Sequence, residues 1–280
     1  MPNDATHRPT PRNQFSFSRV KAFDHCPFKY RLRYLKGMKE AFRSIETYLG
    51  NTTHEVLEWM YAERDRSASP SVTAVIERFD TQWREKWPED LAIVRNSDGP
   101  DTYYRIGVEA LQRFHNEVFV QDSSDTIALE CRFSARLSDQ LVFTGFADRV
   151  GRTTQGKLFV VDYKTSKRAG DASEFSEGLQ APLYAACALD RHDEDSALAG
   201  YHYLRLGQSS WQEVNRARAR QLLQRFLDLA EQVLHATEFP ARPGVLCAWC
   251  GFNHICTFAQ IPQGLDGGQK VARERTDLSV

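Results

Sequence analysis

The sequence lacks the long apolar segments of membrane and secreted proteins. In its 280 residues, no apolar run approaches the roughly 18 residues that a membrane-spanning helix requires. The first residues, MPNDATHRPTPRNQ, contain no apolar stretch of the kind that signal peptides carry. We therefore expect a soluble globular protein without membrane association, located in the cytoplasm.

The sequence also has little net charge. Its 36 basic and 37 acidic residues give a formal net charge of -1, which predicts no overall attraction to a polyanion. Any nucleic-acid surface must therefore be local. Two basic groups occur, and each is typical of a solvated helix face as well as of a phosphate-binding surface. They comprise Lys29, Arg31, Arg33, Lys36, Lys39 and Arg43, and Arg216, Arg218, Arg220 and Arg225.

The patterning predicts a single domain over residues 15–260. A polar disordered tail is expected at 1–14 and a flexible tail, rich in glycine and charge, at 261–280. Ser16 or Ser18 is a suitable cap for a short helix that Pro27 ends or restarts. A helical part is expected over about 44–122, interrupted by the loop RNSDGPD.

The part of the chain at about 126–240 combines strand and helix patterns. IALECRFSARL, LVFTGFADRVGR and KLFVVDYKTS predict a meander of three strands. GLQAPLYAACALD predicts a helix, AGYHYLRLG a further strand, and NRARARQLLQRFLDLAEQVLHA a long helix. This order predicts an α/β fold in which helices flank a mixed central sheet.

Two strands of the predicted meander end in aspartates. Asp148 closes LVFTGFAD, and Asp162 follows the apolar run KLFVV, with Lys164 two positions further on the same strand face. Such oxygen ligands suit Mg²⁺, which lowers the pKa of a bound water while a lysine orients that water or offsets negative charge. A surface ion pair is the alternative, because D-x-K is common by chance.

These motifs, in this order, resemble the RecB-like branch of the PD-(D/E)XK nucleases. GFADRV, VVDYKT and GLQAPLYAACAL carry the resemblance, and Gln180 and Tyr184 match the Q-x-x-x-Y signature of the branch's last helix. The resemblance implies a restriction-endonuclease-like core with an N-terminal helical insertion. It also implies that Gln180 and Tyr184 lie over the site and contact the DNA strand.

The resemblance assigns the metal ligands and the catalytic lysine. Asp148 and Asp162 are implied to bind Mg²⁺ or Mn²⁺, Tyr163 to offer its backbone carbonyl, and Lys164 to be catalytic. GNTTHEVLE resembles the G-x-x-x-H-x-x-L-E helix of the same branch, and its His54 is implied to complete the metal shell.

Two further positions of this part of the chain bear on the site. Glu130, in IALECRF, matches an acid at the start of the first strand and is a further candidate ligand. Gly151 stands where relatives often have an acid, which leaves Arg149 without an evident partner.

The cysteines predict a second centre. Six cysteines in a chain expected in the cytosol argue against disulfides and for metal binding or burial. Cys247, Cys250 and Cys256 form C-x2-C-x5-C, and Cys26 lies in FSFSRVKAFDHCPFKY. This combination resembles AddB-type and CRISPR-adaptation nucleases, which implies a structural 4Fe-4S cluster held by these four cysteines. A Zn²⁺ site is the alternative, with four thiolates or with His254 as the fourth ligand.

The resemblance implies a Mg²⁺- or Mn²⁺-dependent deoxyribonuclease. We expect an exonuclease on single-stranded DNA or DNA ends in recombination and repair. Because the sequence has no Walker A pattern, a helicase partner would be encoded separately. The alternatives are a CRISPR-adaptation nuclease that trims DNA before integration, and a catalytically inactive DNA-binding module.

Overall fold

The N-terminal part of the protein is helical. The computed structural model describes residues 13–66, 69–95, 97–166 and 178–270, so residues 1–12 and 271–280 of the two predicted tails lie outside the described residues. After the short strand β1 (Gln14–Phe15), α1 (Phe17–His25) begins at Ser16, whose Oγ accepts a hydrogen bond from the backbone N of Arg19 at 3.1 Å. Pro27 starts α2 (Pro27–Tyr30), which continues as a π-helical turn, so the predicted cap and restart are both confirmed.

The next part contains three long helices and two strands. These are β2 (Arg43–Ser44), α3 (Ile45–Asp65), α4 (Val72–Glu85), β3 (Leu91–Arg95) and α5 (Pro100–Glu117). We expected only helices here, and β3 corrects that prediction. Its first four residues are all buried, and a short apolar run of this kind does not distinguish a strand from a helix.

The central sheet carries the predicted meander. It consists of β4 (Asp125–Arg136), β5 (Val142–Arg152), β6 (Leu158–Lys164), β7 (Ser196–Tyr203) and β8 (Gln208–Asn215), with β1 parallel to the start of β5. β6 and β7 are parallel, and the other neighbours among β4 to β8 are antiparallel. The predicted α/β fold with a mixed sheet is therefore confirmed.

Two helical layers cover the sheet. α6 (Gln180–His192) and α7 (Arg216–Leu234) pack with α1 on one face, against Leu158 and Val160 of β6. On the other face, Phe159, Val161 and Tyr163 pack against α3, α4 and α5. Alternate residues of β6 thus contribute to separate cores on the two faces of the sheet.

None of the helices in the described residues has the length and apolar character to cross a membrane.

A second, three-stranded sheet joins the chain's C-terminal part to the helical part. Its strands are β2, β3 and β9 (Leu265–Lys270). We expected a flexible tail from residue 261, but β9 pairs antiparallel with β3. The strand escapes sequence reasoning because Gly267 and Gly268 are poor strand formers, and β9 pairs with β3 through Leu265, Gln269 and Lys270 on either side of them.

Candidate active site

Lys164 lies at the carboxyl end of β6 and is held by contacts on two sides. Its Nζ is 2.6 Å from Oδ2 of the buried Asp162 and donates a hydrogen bond to Gln180 Oε1 at 2.9 Å. Gln180 is the first residue of α6, and its Nε2 donates to the hydroxyl of Tyr184 at 3.3 Å. These contacts hold the ammonium group in one place beside the carboxylate.

His54, Glu130 and Asp148 form an adjacent group from three elements. One ligand atom from each lies within 4.8 Å of the others, and the side chains of His54 and Asp148 are half-buried. His54 Nδ1 is 3.3 Å from Asp148 Oδ1, and Asp148 Oδ2 accepts a hydrogen bond from the backbone N of Tyr163 at 2.7 Å. Asp148 therefore connects this group to β6, between Asp162 and Lys164.

An irregularity shared by β4 and β5 turns Glu130 and Asp148 toward each other. Leu129 faces the α3 side of the sheet, whereas Cys131 faces the α6 side. Ala147 likewise faces α6, whereas Arg149 packs on aromatic rings of the α3 side. Regular alternation would put residues two apart on one face.

Glu130 occupies a backbone conformation that few residues other than glycine adopt. Its φ is 44°, in the left-handed region. Such a conformation persists only where the surrounding structure enforces it, and it occurs preferentially at functional sites. The expectation that Asp148 ends its strand was wrong, because β5 continues past this irregularity to Arg152.

The carboxylates of this site repel one another. Burial and the charge of Asp148 raise the pKa of Glu130 to about 7. Burial also raises the pKa of Asp162, against the opposing effect of Lys164. Burial alone would lower the pKa of His54, but Asp148 and Asp162 outweigh it and raise that pKa to about 9. The site thus holds excess negative charge, which a bound cation would offset.

Arg149 has a partner that sequence reasoning missed. Its Nη1 donates to Asp122 Oδ2 at 2.8 Å, and its Nη2 donates to Ser124 Oγ at 2.8 Å. An acid in place of Gly151 has no room, because a Cβ there would lie 2.3 Å from the backbone O of Asp125 and 2.5 Å from the Phe159 ring. The arginine's charge is therefore balanced from the loop before β4.

The four predicted cysteine ligands lie around one cavity. Cys26, Cys247, Cys250 and Cys256 all line a space of about 220 Å³, and all four thiols are free. Cys26 connects α1 and α2, whereas Cys247 lies in the 3₁₀ turn Val245–Trp249. The fold thus brings together cysteines from the two ends of the predicted domain.

The structure brings most of the predicted site residues together, but Asp162 and Tyr184 lie apart from the group of His54, Glu130 and Asp148. Asp162 is not a member of the His54, Glu130 and Asp148 group within the described residues, and its carboxylate contacts Lys164 instead. Tyr184 lies in the core with only 4% of its surface exposed, so it reaches the site through Gln180.

The basic segment that precedes α3 is partly neutralised. Lys29 and Arg33 both pair with Glu40, at 3.2 and 3.1 Å. Tyr30 of the same segment is buried in the core. Of the basic residues in this segment, those other than Lys29 and Arg33 are therefore the better candidates for contacts with phosphate.

The sequence matches a family model over most of its length. The model of the PD-(D/E)XK nuclease superfamily matches residues 14–257. This range includes every residue of the candidate site and all four cysteines around the cavity.

The chain is also similar to part of several larger proteins. It is 25% identical over 174 residues to the B subunit of the ATP-dependent helicase/deoxyribonuclease of Streptococcus agalactiae, covering 61% of this chain and 16% of that protein. The corresponding protein of Streptococcus uberis is 23% identical over 228 residues, covering 74% of this chain and 20% of that protein. The chain thus spans about a fifth or less of these relatives. A solved structure, the crystal structure of SSO0001, aligns with a TM-score of 0.41 and 14% identity over 89% of this chain and 88% of that one.

Proposed function

Because the chain belongs to the PD-(D/E)XK nuclease superfamily, we propose that it is a Mg²⁺- or Mn²⁺-dependent deoxyribonuclease that degrades single-stranded DNA or DNA ends in recombination and repair. One observation carries the proposal. The group of His54, Glu130 and Asp148 meets the pair of Asp162 and Lys164 through the hydrogen bond from Tyr163 to Asp148. A nuclease needs these elements side by side, namely a cation site and a lysine fixed at its edge.

The donor set fits a divalent cation. The ligands that we propose are His54, Glu130, Asp148, Asp162 and the backbone carbonyl of Tyr163. Four oxygen donors and one imidazole nitrogen suit Mn²⁺, and the oxygen donors suit Mg²⁺. The raised pKa of Glu130 supports this, because a cation would offset the repulsion that causes it. When bound, the cation would lower the pKa of a water molecule and offset charge on the scissile phosphate.

Lys164 orients the nucleophile or offsets the charge that develops on the phosphate. The contacts with Asp162 and Gln180 fix its Nζ, so little reorganisation accompanies the reaction. We propose that Gln180 also contacts the DNA strand. Tyr184 is then a positioning residue, because its buried hydroxyl accepts the hydrogen bond from Gln180.

Similarity to helicase/deoxyribonuclease subunits supports DNA as the substrate and a separately encoded helicase as a partner. Both remain proposals, because the chain corresponds to a small part of those proteins. End-labelled linear DNA and a circular single strand of the same sequence test the exonuclease proposal directly. An exonuclease degrades the linear strand and leaves the circle intact.

Lys164→Ala should lower DNA cleavage on the order of 10²-fold, because it removes the fixed positive charge at the reacting phosphate. The measurement is the initial rate on labelled single-stranded and double-stranded DNA with Mg²⁺, with Mn²⁺ and with EDTA. Lys157→Ala is the matched control. Lys157 directly precedes β6 at its other end and pairs with Glu213 at 2.6 Å. Cleavage that persists in EDTA, or that is equal in the two variants, would refute the proposed mechanism.

We further propose that the cavity between Cys26, Cys247, Cys250 and Cys256 holds a 4Fe-4S cluster. Four thiolates bind either a cluster or zinc. Zinc lies about 2.3 Å from each sulfur, so four thiols around it lie within about 4 Å of one another, whereas no three of these thiols lie within 4.8 Å of one another among the described residues. This spacing favours the larger group, whose effect there would be structural, joining α1 to the C-terminal part of the domain.

Cys26→Ser should abolish the visible absorbance and the bound iron of protein purified without oxygen. The variant should have a lower melting temperature than the wild type. Its DNA cleavage rate should change little while it stays folded, because the cavity is separate from the candidate active site. Cys131→Ala is the matched control, since Cys131 is a buried thiol outside the cavity and should leave the absorbance unchanged. If the wild-type protein is colourless and contains one zinc per chain, the cluster proposal is wrong and the cysteines bind zinc.

A further inference from the structure

A second cavity, of about 450 Å³, lies on the sheet face opposite α6. β6 contributes Tyr163 to its wall, β7 and β8 contribute His202 and Trp211, and α5 contributes Phe114. Its volume falls within the roughly 300–1,000 Å³ of small-molecule sites. The Tyr163 ring lines this cavity, whereas its backbone N contacts Asp148 of the candidate active site.

Aromatic rings shape this cavity. Trp211 lies over Gly200 of the neighbouring strand, where a Cβ would be 2.4 Å from the indole ring. Glycine is therefore required for the indole to take this position. The indole meets Phe159 edge-on, with ring centroids 6.0 Å apart, and Phe114 meets Tyr163 at 5.5 Å. Such walls suit a flat aromatic ligand.

His202 lines the cavity and carries one buried polar atom without a partner in the described part of the chain. The residue is 3% exposed, its Nδ1 is 2.7 Å from Ser209 Oγ, and its ring packs on Phe114 at 4.9 Å. Among the described residues, no hydrogen-bond partner exists for its Nε2. Buried polar atoms nearly always have a partner, so this nitrogen requires one from a ligand or from water.

The charges around the cavity exclude a phosphorylated ligand. Arg149 is the cation among its described lining residues, and it already donates to Asp122 and Ser124. The other charged lining residues, Asp122 and Glu117, are acidic. A phosphate would therefore meet net negative charge and no free donor cation.

We propose that this cavity binds an uncharged nucleoside. The base would stack within the aromatic walls, with its polar edge hydrogen-bonded to His202 Nε2. The exposed side chains of Glu117 and Gln121 line the same cavity and offer hydrogen bonds to the sugar hydroxyls. This site is independent of the proposed nuclease activity, and its test uses binding alone.

The experiment titrates the full chain with adenosine, guanosine, cytidine and uridine, and follows tryptophan fluorescence and equilibrium dialysis. At least one nucleoside should bind saturably and quench the fluorescence. Trp211→Phe should remove that quenching, and His202→Phe should weaken binding about tenfold through the lost hydrogen bond. His235→Phe, at the end of α7, is the matched control and should bind as the wild type does.

Three results would overturn the proposal. They are no saturable binding of any of the four nucleosides, unchanged affinity in His202→Phe, and tighter binding of adenosine monophosphate than of adenosine. If His202→Phe does not fold, Leu198→Phe tests the same cavity, because Leu198 lines it and the larger ring would occupy it. That variant should bind more weakly than the wild type, and equal binding would also overturn the proposal.

Discussion

Replacing Asp148 by Asn is expected to lower metal-dependent DNA cleavage by about 10³-fold, or several kcal/mol of transition-state stabilisation. The reason is the position of this carboxylate. One oxygen faces His54 at 3.3 Å and the other accepts the Tyr163 backbone N–H at 2.7 Å. Asn keeps the shape of the side chain and removes the charge that a cation needs. Initial rates measure the loss of DNA cleavage, and calorimetric titration with Mn²⁺ measures the loss of metal affinity.

A second measurement separates a local effect of this substitution from misfolding. The charge of Asp148 is a main cause of the raised pKa of His54. In metal-free Asp148→Asn, NMR titration should therefore give His54 a pKa below the wild-type value of about 9. Asp139→Asn is the control, because Asp139 is exposed in the turn between β4 and β5. If Asp148→Asn cuts DNA within threefold of the wild type, Asp148 is not a metal ligand.

The sequence was sufficient to predict the half of the site that depends on regular strand geometry. Asp162 and Lys164 are two residues apart on β6, so simple alternation places them together, as the 2.6 Å contact confirms. α6 follows from its own apolar pattern, and its first residue, Gln180, reaches Lys164. Local periodicity is enough for these positions.

The other half depends on an irregularity that the pattern conceals. Leu129, Cys131 and Phe133 alternate as though they shared one sheet face, yet Leu129 faces α3 and the other two face α6. The reversal occurs at Glu130, whose left-handed φ has no signal in the sequence, since glutamate rarely adopts it. Glu130 could therefore be predicted as a candidate ligand beside Asp148 from the family resemblance, but not from the periodicity of the strand.

Five strands were missed. β1 and β2 have only two residues each, and the three longer strands were missed for different physical reasons. β3 is too short and uniformly apolar to be distinguished from a helix. β8 is an edge strand of the central sheet with one buried residue, Val214, so it lacks an apolar alternation. β9 depends on pairing with β3, which is more than 160 residues away in the sequence. Strand pairing over such distances has no local signature.

Loss of the Asp122 carboxylate should produce the largest effect on stability. Asp122→Ala leaves the guanidinium of Arg149 buried beneath the Tyr61 ring, 3.8 Å from its centroid, without its charge partner. It also removes the acceptor of the Tyr61 hydroxyl, at 3.0 Å. Breaking a buried pair in this way typically costs about 3–5 kcal/mol. Urea unfolding should show a loss of that size in the free energy of unfolding.

This effect should depend on pH with a defined sign. Burial opposes ionisation of Asp122, but Arg149 and hydrogen bonds from Ser124 prevail and lower its pKa below the ordinary value. Its stabilising contribution is therefore complete above the ordinary aspartate pKa and is lost as the pH falls through the lowered value. The difference in stability between the wild type and Asp122→Ala should accordingly shrink in acid.

An exposed ion pair provides the comparison for this prediction. Asp195 lies 3.1 Å from Arg216, but its side chain is 98% exposed. Asp195→Ala should therefore change the free energy of unfolding by less than about 1 kcal/mol. In Asp122→Ala, the further change Arg149→Met should restore part of the lost stability, because it removes the unpaired buried charge. If Asp122→Ala is as stable as Asp195→Ala, the charge of Arg149 is balanced by its remaining hydrogen-bond acceptors and not by Asp122.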